Sequence, residues 1–339
     1  MSHLPFPDDP EILVLGGGSW GTAIADLLAQ KSTKVTLWAR NEKLVAEINE
    51  SHTNSHFLPD CELHSNLNAT ADLNAASQAD LIVFVVPSSG TAEVAEALSK
   101  IPLKENAVLL SCAKGIERNT GRRVSEVISV YHPDKQIAVL SGPNHAEEVV
   151  RRQATCAVIG ATDEELASAL QKLFTSPHFR SYRSDDLIGI ELGAAIKNVF
   201  AIAAGGAKGL GLGDNAIAAL VTRGLAEMIR LGTALGGRAE TFTGLSGVGD
   251  LITTCYSTHS RNHRVGLAIG KGEPLEDVQQ RLGMVAEGVP NTRSIHELAQ
   301  KIGVRTPLID TIYGILYEGN HPAKSLQKLL SRDLRSESE

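Results

Sequence analysis

The 339-residue chain has only four cysteines, Cys61, Cys112, Cys156 and Cys255, and none stand in C-x-x-C spacing. Disulfides are therefore not expected, and the thiols read as small buried residues in a reducing compartment. Positive charge is also in short supply, with 32 Lys and Arg against 39 Asp and Glu and a formal net charge of −7. No long basic run and no aromatic-basic interleaving offset that balance. A nucleic-acid surface is excluded, and any anionic ligand must be met by local cations. No uncharged run approaches the ~20 residues of a membrane helix, and the opening MSHLPFPDDP has neither a basic start nor an apolar core. The expectation is a cytoplasmic protein that is not integral to a membrane. There is no G-x-x-x-x-G-K-[ST], and G-x-S-x-G occurs once, at 17–21 inside a glycine run that opens a dinucleotide-type turn, so a P-loop nucleotidase and nucleophilic serine chemistry both lose their support. His259 and His263 lie four apart, but no Glu follows the first and no third ligand is evident, so no metal is expected.

What is present begins with Glu11 to Leu15, EILVL, which runs straight into Gly16-Gly17-Gly18-Ser19-Trp20-Gly21 and then TAIADLLAQ. This is G-x-G-x-x-G between a strand and a helix, the context in which it binds a dinucleotide. Gly16 permits the tight turn, Gly18 lets the backbone approach a pyrophosphate, and Gly21 lets helix pack on strand. The second strand, Val35 to Trp38, ends in Ala39-Arg40-Asn41 rather than in a carboxylate. A cation there suits the 2′-phosphate of NADP, so NADP is the expected cofactor, with NAD the alternative.

Further apolar runs recur at 81–86, 107–110, 137–140 and 156–160, which suits a sheet covered by helices on both faces. Ligands of such sheets bind beyond the strands' carboxyl ends, so Lys114 and the turn Gly142 to Ala146 are expected at the crevice. After Ile188 strand signals give way to helical periodicity. Asp214 could cap a long helix striped by Ile217, Val221, Leu225, Met228 and Leu231, and Gly303 and Thr306-Pro307 punctuate two later ones. The length alone suggests two domains. The predicted class is α/β: an N-terminal Rossmann-like, mostly parallel, doubly wound sheet over 1–190, then an all-helical substrate-binding domain over 191–339. The Ser/Glu-rich tail after Leu334 is expected to fray.

Two segments of the second half carry chemistry. In IKNVFAIAAG, Lys197-Asn198 interrupts an apolar, small-residue helix, and desolvation of such a lysine lowers its pKa toward neutrality, the profile of a general acid/base. A lysine that snorkels to water would need no companions, yet Asn198, Lys114 and Asp250 offer them from three regions. In GLSGVGDLITTCYSTHSRNHRVG, Asp250 follows a glycine-rich turn, and Ser260, Arg261 and Asn262 then supply a hydroxyl, a guanidinium fork and a carboxamide in three consecutive positions. That set suits a phosphate ester.

At this point the chain resembles the bacterial-type NAD(P)-dependent glycerol-3-phosphate dehydrogenases. The likeness rests on GGGSWGTAIA (16–25), NSHFLP (54–59), VPS (86–88), CAKGIE (112–117), SGPNHAEEV (141–149), IKNVFAIAAG, TRGLAEMIRLG (222–232), GLSGVGDLITTC, HSRNHRVG and VAEGVPNT (285–292). It implies interconversion of sn-glycerol 3-phosphate and dihydroxyacetone phosphate, with Lys197 as proton acceptor. Lys114, Gly142, Asn144, Asp250, Ser260, Arg261 and Asn262 would contact the substrate, and Lys114 and Asn198 would polarise or position the developing oxyanion. Ser19, Trp20, Arg40, Ala146, Val285 and Glu287 would line the cofactor, with Lys114 and Arg261 near both ligands. It also implies a homodimer that supplies glycerol phosphate for phospholipids. One departure stands out: where the family commonly has Ser or Thr and then an aromatic, this chain has Asn144-His145. Two rivals share part of the pattern, a β-hydroxyacid dehydrogenase of the 6-phosphogluconate type and a non-catalytic NAD(P)-sensing module.

Overall fold

The computed structural model describes residues 6–118, 120–331 and 336. The tail expected to fray after Leu334 lies outside them apart from Ser336. Eight strands form one sheet: β1 Ile12–Leu15, β2 Val35–Trp38, β3 Leu67–Thr70, β4 Leu81–Phe84, β5 Val108–Ser111, β6 Ile137–Ser141, β7 Thr155–Gly160 and β8 Phe179–Ser184. Their order is 3-2-1-4-5-6-7-8, parallel throughout except where β7 runs antiparallel to β6. The first six strands have the dinucleotide-binding order, with the switch point between β1 and β4.

Helices α1 Ser19–Ala29, α2 Glu42–Ser51, α3 Thr91–Ser99, α4 Val124–Tyr131, α5 Ala146–Val150 and α6 Glu164–Phe174 are interleaved with these strands. β1, β4 and β5 are buried along their whole length because apolar clusters cover both sheet faces, which is why they read as continuous apolar runs. α5, at five residues, spans only about 7 Å and does not cross back over the sheet. The chain re-enters from the carboxyl end, which accounts for the one antiparallel pairing.

β3 and β8 were not among the expected strands. In β8, Phe179 and Ser181 face inward while Arg180 and Tyr182 are exposed. This period-two edge pattern has no apolar run to mark it. β4 also ends two residues before its apolar run does, at Phe84.

From α7 Leu187–Gly209 onward the chain is helical: α8 Asp214–Ala234, α9 Ala239–Phe242, α10 Asp250–Tyr256, α11 Arg261–Gly270, α12 Leu275–Leu282, α13 Gly288–Ile302, α14 Pro307–Tyr317 and α15 Pro322–Leu330. Asp214 does not cap α8. Gly213 holds the cap position, and Asp214 is the first helical residue, where its charge faces the positive end of the helix dipole. By length and composition α7 could cross a membrane, yet 89% of its most apolar window is buried inside the protein, as the central strut of the helical half. Three of the cysteines are buried and Cys156 is partly exposed.

α7 and α11 touch backbone to backbone. An added Cβ at Gly205 would stand 2.0 Å from the His263 carbonyl oxygen, and one at Gly266 would stand 1.9 Å from that of Ile202. Such contact leaves no room for a methyl group, so it locks the register of the two helices. Gly205→Ala is therefore expected to cost about 1–3 kcal/mol through overpacking. Its neighbour Gly206, whose added Cβ meets nothing closer than 3.7 Å, should gain up to about 1 kcal/mol as alanine from helix propensity. Urea unfolding of the two variants should give opposite signs.

Candidate active site

The glycine turn after β1 is built as its spacing requires. Gly16 has φ +123° and lies against the Val85 backbone, where an added Cβ would be 2.9 Å from the carbonyl oxygen. At Gly21 a Cβ would reach 1.9 Å from the Gly16 oxygen, so α1 packs directly on the turn. Gly18 caps α1 and faces open space, so a ligand can approach its backbone next to the first N–H groups of Ser19 and Trp20. The Trp20 Nε1 is buried without a partner. Ala146 is the first residue of α5. The crevice, with its exposed helix N-terminus and its unmet indole donor, fits a dinucleotide.

Arg40 stands exposed at the end of β2, its guanidinium 5.9 Å from the Trp38 ring and 3.1 Å from Glu93 on α3. An exposed pair of this kind is worth about 0–1 kcal/mol, which leaves Arg40 free to exchange partners. Glu287, just before α13, accepts from the Ser88 amide at 2.9 Å and from the Ser88 hydroxyl at 2.7 Å, fastening the loop after β4 to the helical half. The Val285 carbonyl accepts from Arg261 at 2.7 Å.

Beyond the sheet, three elements converge on one carboxylate. The turn Gly244 to Gly249 includes a π-helical stretch, Leu245–Gly249, that packs against Gly193 of α7, where an added Cβ would stand 2.8 Å from the Ser246 oxygen. That contact brings Asp250, the first residue of α10, beside Lys197 one turn further along α7. Lys197 Nζ donates to Asp250 Oδ1 at 2.5 Å and to Thr254 Oγ1 at 2.7 Å. Lys114, beyond β5, donates to Asp250 Oδ2 at 3.1 Å, to the Gly142 carbonyl at 2.9 Å and to Asn144 Oδ1 at 2.5 Å.

Lys197 is 3% exposed and Asp250 2%. Burial pulls the Lys197 ammonium down to about 7, with Asp250 opposing and Lys114 reinforcing that shift. Burial pushes the Asp250 carboxyl up, but the two ammonium groups and their hydrogen bonds outweigh it and hold the carboxyl below its ordinary value. At neutral pH the carboxylate is therefore ionised while Lys197 sits close to its midpoint.

The remaining residues arrange themselves around this cluster. Asn198 donates both amide hydrogens, to the Lys114 carbonyl at 3.0 Å and the Ala194 carbonyl at 3.2 Å, and its oxygen accepts from Asn262 at 2.9 Å. Both of its amide hydrogens are engaged by carbonyls, one of them that of Lys114, so of the two roles expected of it, polarising or positioning, these bonds support the second. It holds Lys114 in position. Asn262 in turn accepts from the Gly288 amide at 2.9 Å and keeps one amide hydrogen. Ser260 caps α11 by accepting from the His263 amide at 3.1 Å, which leaves its hydroxyl hydrogen available. Arg261 is the first helical residue, and burial lowers its guanidinium from the ordinary value. Hydroxyl, guanidinium and carboxamide thus belong to the cap and first two residues of a ten-residue helix, a set suited to a phosphate.

Two supporting residues escaped the sequence reading. Thr254 accepts from Lys197 while its own hydroxyl donates to the Asp250 carbonyl at 2.6 Å. Its signal was the four-residue spacing from Asp250, which puts both on one face of α10. Asn291 on α13 donates to the Lys114 carbonyl at 3.2 Å, and only its place in VAEGVPNT hinted at it.

Removing the shared carboxylate leaves two ammonium groups uncompensated. Asp250→Asn should therefore cost about 3–5 kcal/mol near pH 7, the range for breaking a buried pair. The cost should be larger at pH 5.5, where Lys197 still carries its proton in the wild type, than at pH 9, where it has lost it. Urea midpoints at these pH values check both the size and the trend.

Comparisons with known proteins agree with this geometry. The family model for the NAD-dependent glycerol-3-phosphate dehydrogenase N-terminus matches residues 11–167, and that for the C-terminus matches 186–327. The glycerol-3-phosphate dehydrogenase [NAD(P)+] of Enterococcus faecalis is 45% identical over 335 residues, covering 97% of this chain and 98% of that protein. Its namesake from Nitratidesulfovibrio vulgaris is 46% identical over 332 residues, covering 96% and 100%. The crystal structure of glycerol-3-phosphate dehydrogenase from Coxiella burnetii superposes with a TM-score of 0.92 at 38% identity, covering 96% of this chain and all of that one. With both halves matched and the relatives aligned end to end, the chain belongs to the NAD-dependent glycerol-3-phosphate dehydrogenase family.

Proposed function

We propose that this protein interconverts sn-glycerol 3-phosphate and dihydroxyacetone phosphate with NAD(P), and that reduction supplies glycerol 3-phosphate for phospholipid synthesis. The observation that carries the reading is the buried Lys197–Asp250–Lys114 cluster, set between a dinucleotide crevice and a helix N-terminus fitted to a phosphate. A non-catalytic NAD(P) sensor has no use for a lysine buried to the point of titrating near 7. A dehydrogenase of the 6-phosphogluconate type is disfavoured because the relatives covering the whole chain carry the glycerol-3-phosphate name. A homodimer working in the cytoplasm completes the reading on the strength of the family resemblance alone.

When bound, the nicotinamide supplies or accepts the hydride at C2. Gly16, Gly18, Ser19, Trp20 and Gly21 would hold the cofactor at the end of β1, with Ala146, Val285 and Glu287 across the crevice. Lys197 handles the proton at the C2 oxygen. In its neutral form it has two hydrogens, which its bonds to Asp250 and Thr254 use, so its lone pair is directed to the C2 hydroxyl. In its charged form the third hydrogen is available to the carbonyl oxygen. Lys114 has all three hydrogens engaged and contributes its charge, exchanging Asn144 or the Gly142 carbonyl for a substrate oxygen when one arrives. Ser260, Arg261 and Asn262 hold the phosphate, and that remote contact aligns the reacting carbon.

Steady-state reduction of dihydroxyacetone phosphate tests the reading directly, and absence of turnover with either NADPH or NADH would overturn it. Because the Lys197 ammonium titrates at about 7, kcat/KM for glycerol 3-phosphate oxidation should rise with pH through that value. For reduction it should fall over the same interval. Lys197→Met should lower both rates by about 10²–10⁴-fold with NADPH binding intact. A variant retaining a third of wild-type kcat, with chemistry rate-limiting, would remove Lys197 from the mechanism.

The preference for NADP rests on Arg40, whose exposed guanidinium is free to leave Glu93 for a 2′-phosphate. Arg40→Asp should shift the NADPH/NADH ratio of kcat/KM toward NADH by roughly 1–2 kcal/mol, near the low end for charge-assisted bonds because the site is open to water. An unchanged ratio would detach the preference from this residue.

A further inference from the structure

The reading above assigns two of the three oxygen functions of glycerol 3-phosphate: the C2 oxygen to Lys197 and the phosphate to the start of α11. The primary hydroxyl on C1 has no partner in that account. The structure holds two unmet polar atoms beside the cluster, on consecutive residues of the loop between β6 and α5. Asn144 Nδ2 and His145 Nε2 are both buried, and neither has a hydrogen-bond partner. Asn144 is 5% exposed, and its oxygen is held by Lys114 Nζ at 2.5 Å, which keeps its free amide group next to the lysine cluster. The His145 ring centroid lies 6.0 Å from that of His259, the residue before Ser260, and the imidazole is also close enough to Lys114 and Lys197 to feel their charges. Burial, reinforced by the charges of Lys114 and Lys197, draws the imidazole down to about 4. It is neutral at working pH, with one N–H and one lone pair.

An alcohol donates one hydrogen bond and accepts others, and leaving buried polar groups unmet is costly. An amide donor beside an imidazole acceptor is the complement of a primary hydroxyl. We propose that His145 contacts the substrate and determines specificity, its Nε2 accepting from the C1 hydroxyl while Asn144 Nδ2 donates to the same oxygen. The assignment rests on the glycerol 3-phosphate reading and adds to it the side chain that recognises the end of the substrate away from the phosphate. It also accounts for the departure at Asn144-His145: the family's hydroxyl side chain is replaced by a carboxamide that both engages Lys114 and presents a donor.

The test compares dihydroxyacetone phosphate with hydroxyacetone phosphate, which lacks only the C1 hydroxyl, at saturating NADPH. The quantity read is the ratio of kcat/KM for the two substrates within each protein, which a partly misfolded preparation does not alter because both rates fall together. Wild type should favour dihydroxyacetone phosphate. His145→Phe should lose roughly tenfold of that preference, with the hydroxyacetone phosphate rate changed less than twofold. His145→Gln, whose amide reaches near the Nε2 position, should restore part of it. A wild type that does not discriminate, equal losses on both substrates, or no loss in His145→Phe would each overturn the assignment. Absence of any dihydroxyacetone phosphate reduction by wild type would instead overturn the underlying reading, so the two failures are distinguishable.

Discussion

One carboxylate shared by two buried ammonium groups organises this molecule. Asp250 cannot be buried as an anion without cations, and Lys197 cannot be buried as a cation without an anion. Each is tolerated because the other is there, and Lys114 reaches in from the sheet to complete the set. The Asp250–Lys114 pair is thus also a contact between the two halves of the chain. The cluster carries one positive charge more than it neutralises while Lys197 is protonated. In a protein of net charge −7, that local surplus is what an anionic substrate meets.

The amide network behind the cluster ties the proposed phosphate site to the proposed proton-transfer site. The Gly288 amide donates to Asn262, Asn262 to Asn198, and Asn198 to the carbonyl of Lys114, with Asn291 donating to that same carbonyl. Every step is a neutral hydrogen bond between buried groups. The network fixes the backbone of Lys114 without adding charge beside the lysine cluster.

Much of this was legible in the residues, and what was not has specific physical reasons. The glycine turn after β1 could be read because each glycine answers a local demand visible in the spacing. Lys197 could be read because a cation in a run of alanines and branched aliphatics has few fates. β3 and β8 could not, since edge strands with one wet face carry no apolar run, and the cap of α8 was misjudged by one residue because Gly213 and Asp214 both suit a helix start. How Asn198 acts, by polarising or by positioning, was not legible in the residues. The choice turns on where its hydrogens go, and they go to carbonyls 84 and 4 residues away in the chain. Donor accounting needs three dimensions.

The close approach of α7 and α11 has a bearing on what this protein can act upon. The proposed acid/base group rides on one helix and the start of the proposed phosphate grip on the other, and the helices meet through main-chain atoms rather than through side chains that could adopt other rotamers. The span from reacting carbon to phosphorus is consequently gauged by a rigid caliper. A homologous substrate one carbon longer would not be accommodated by repacking a few residues, because lengthening the caliper means sliding one helix along the other, and the glycines that let them touch also hold them from sliding.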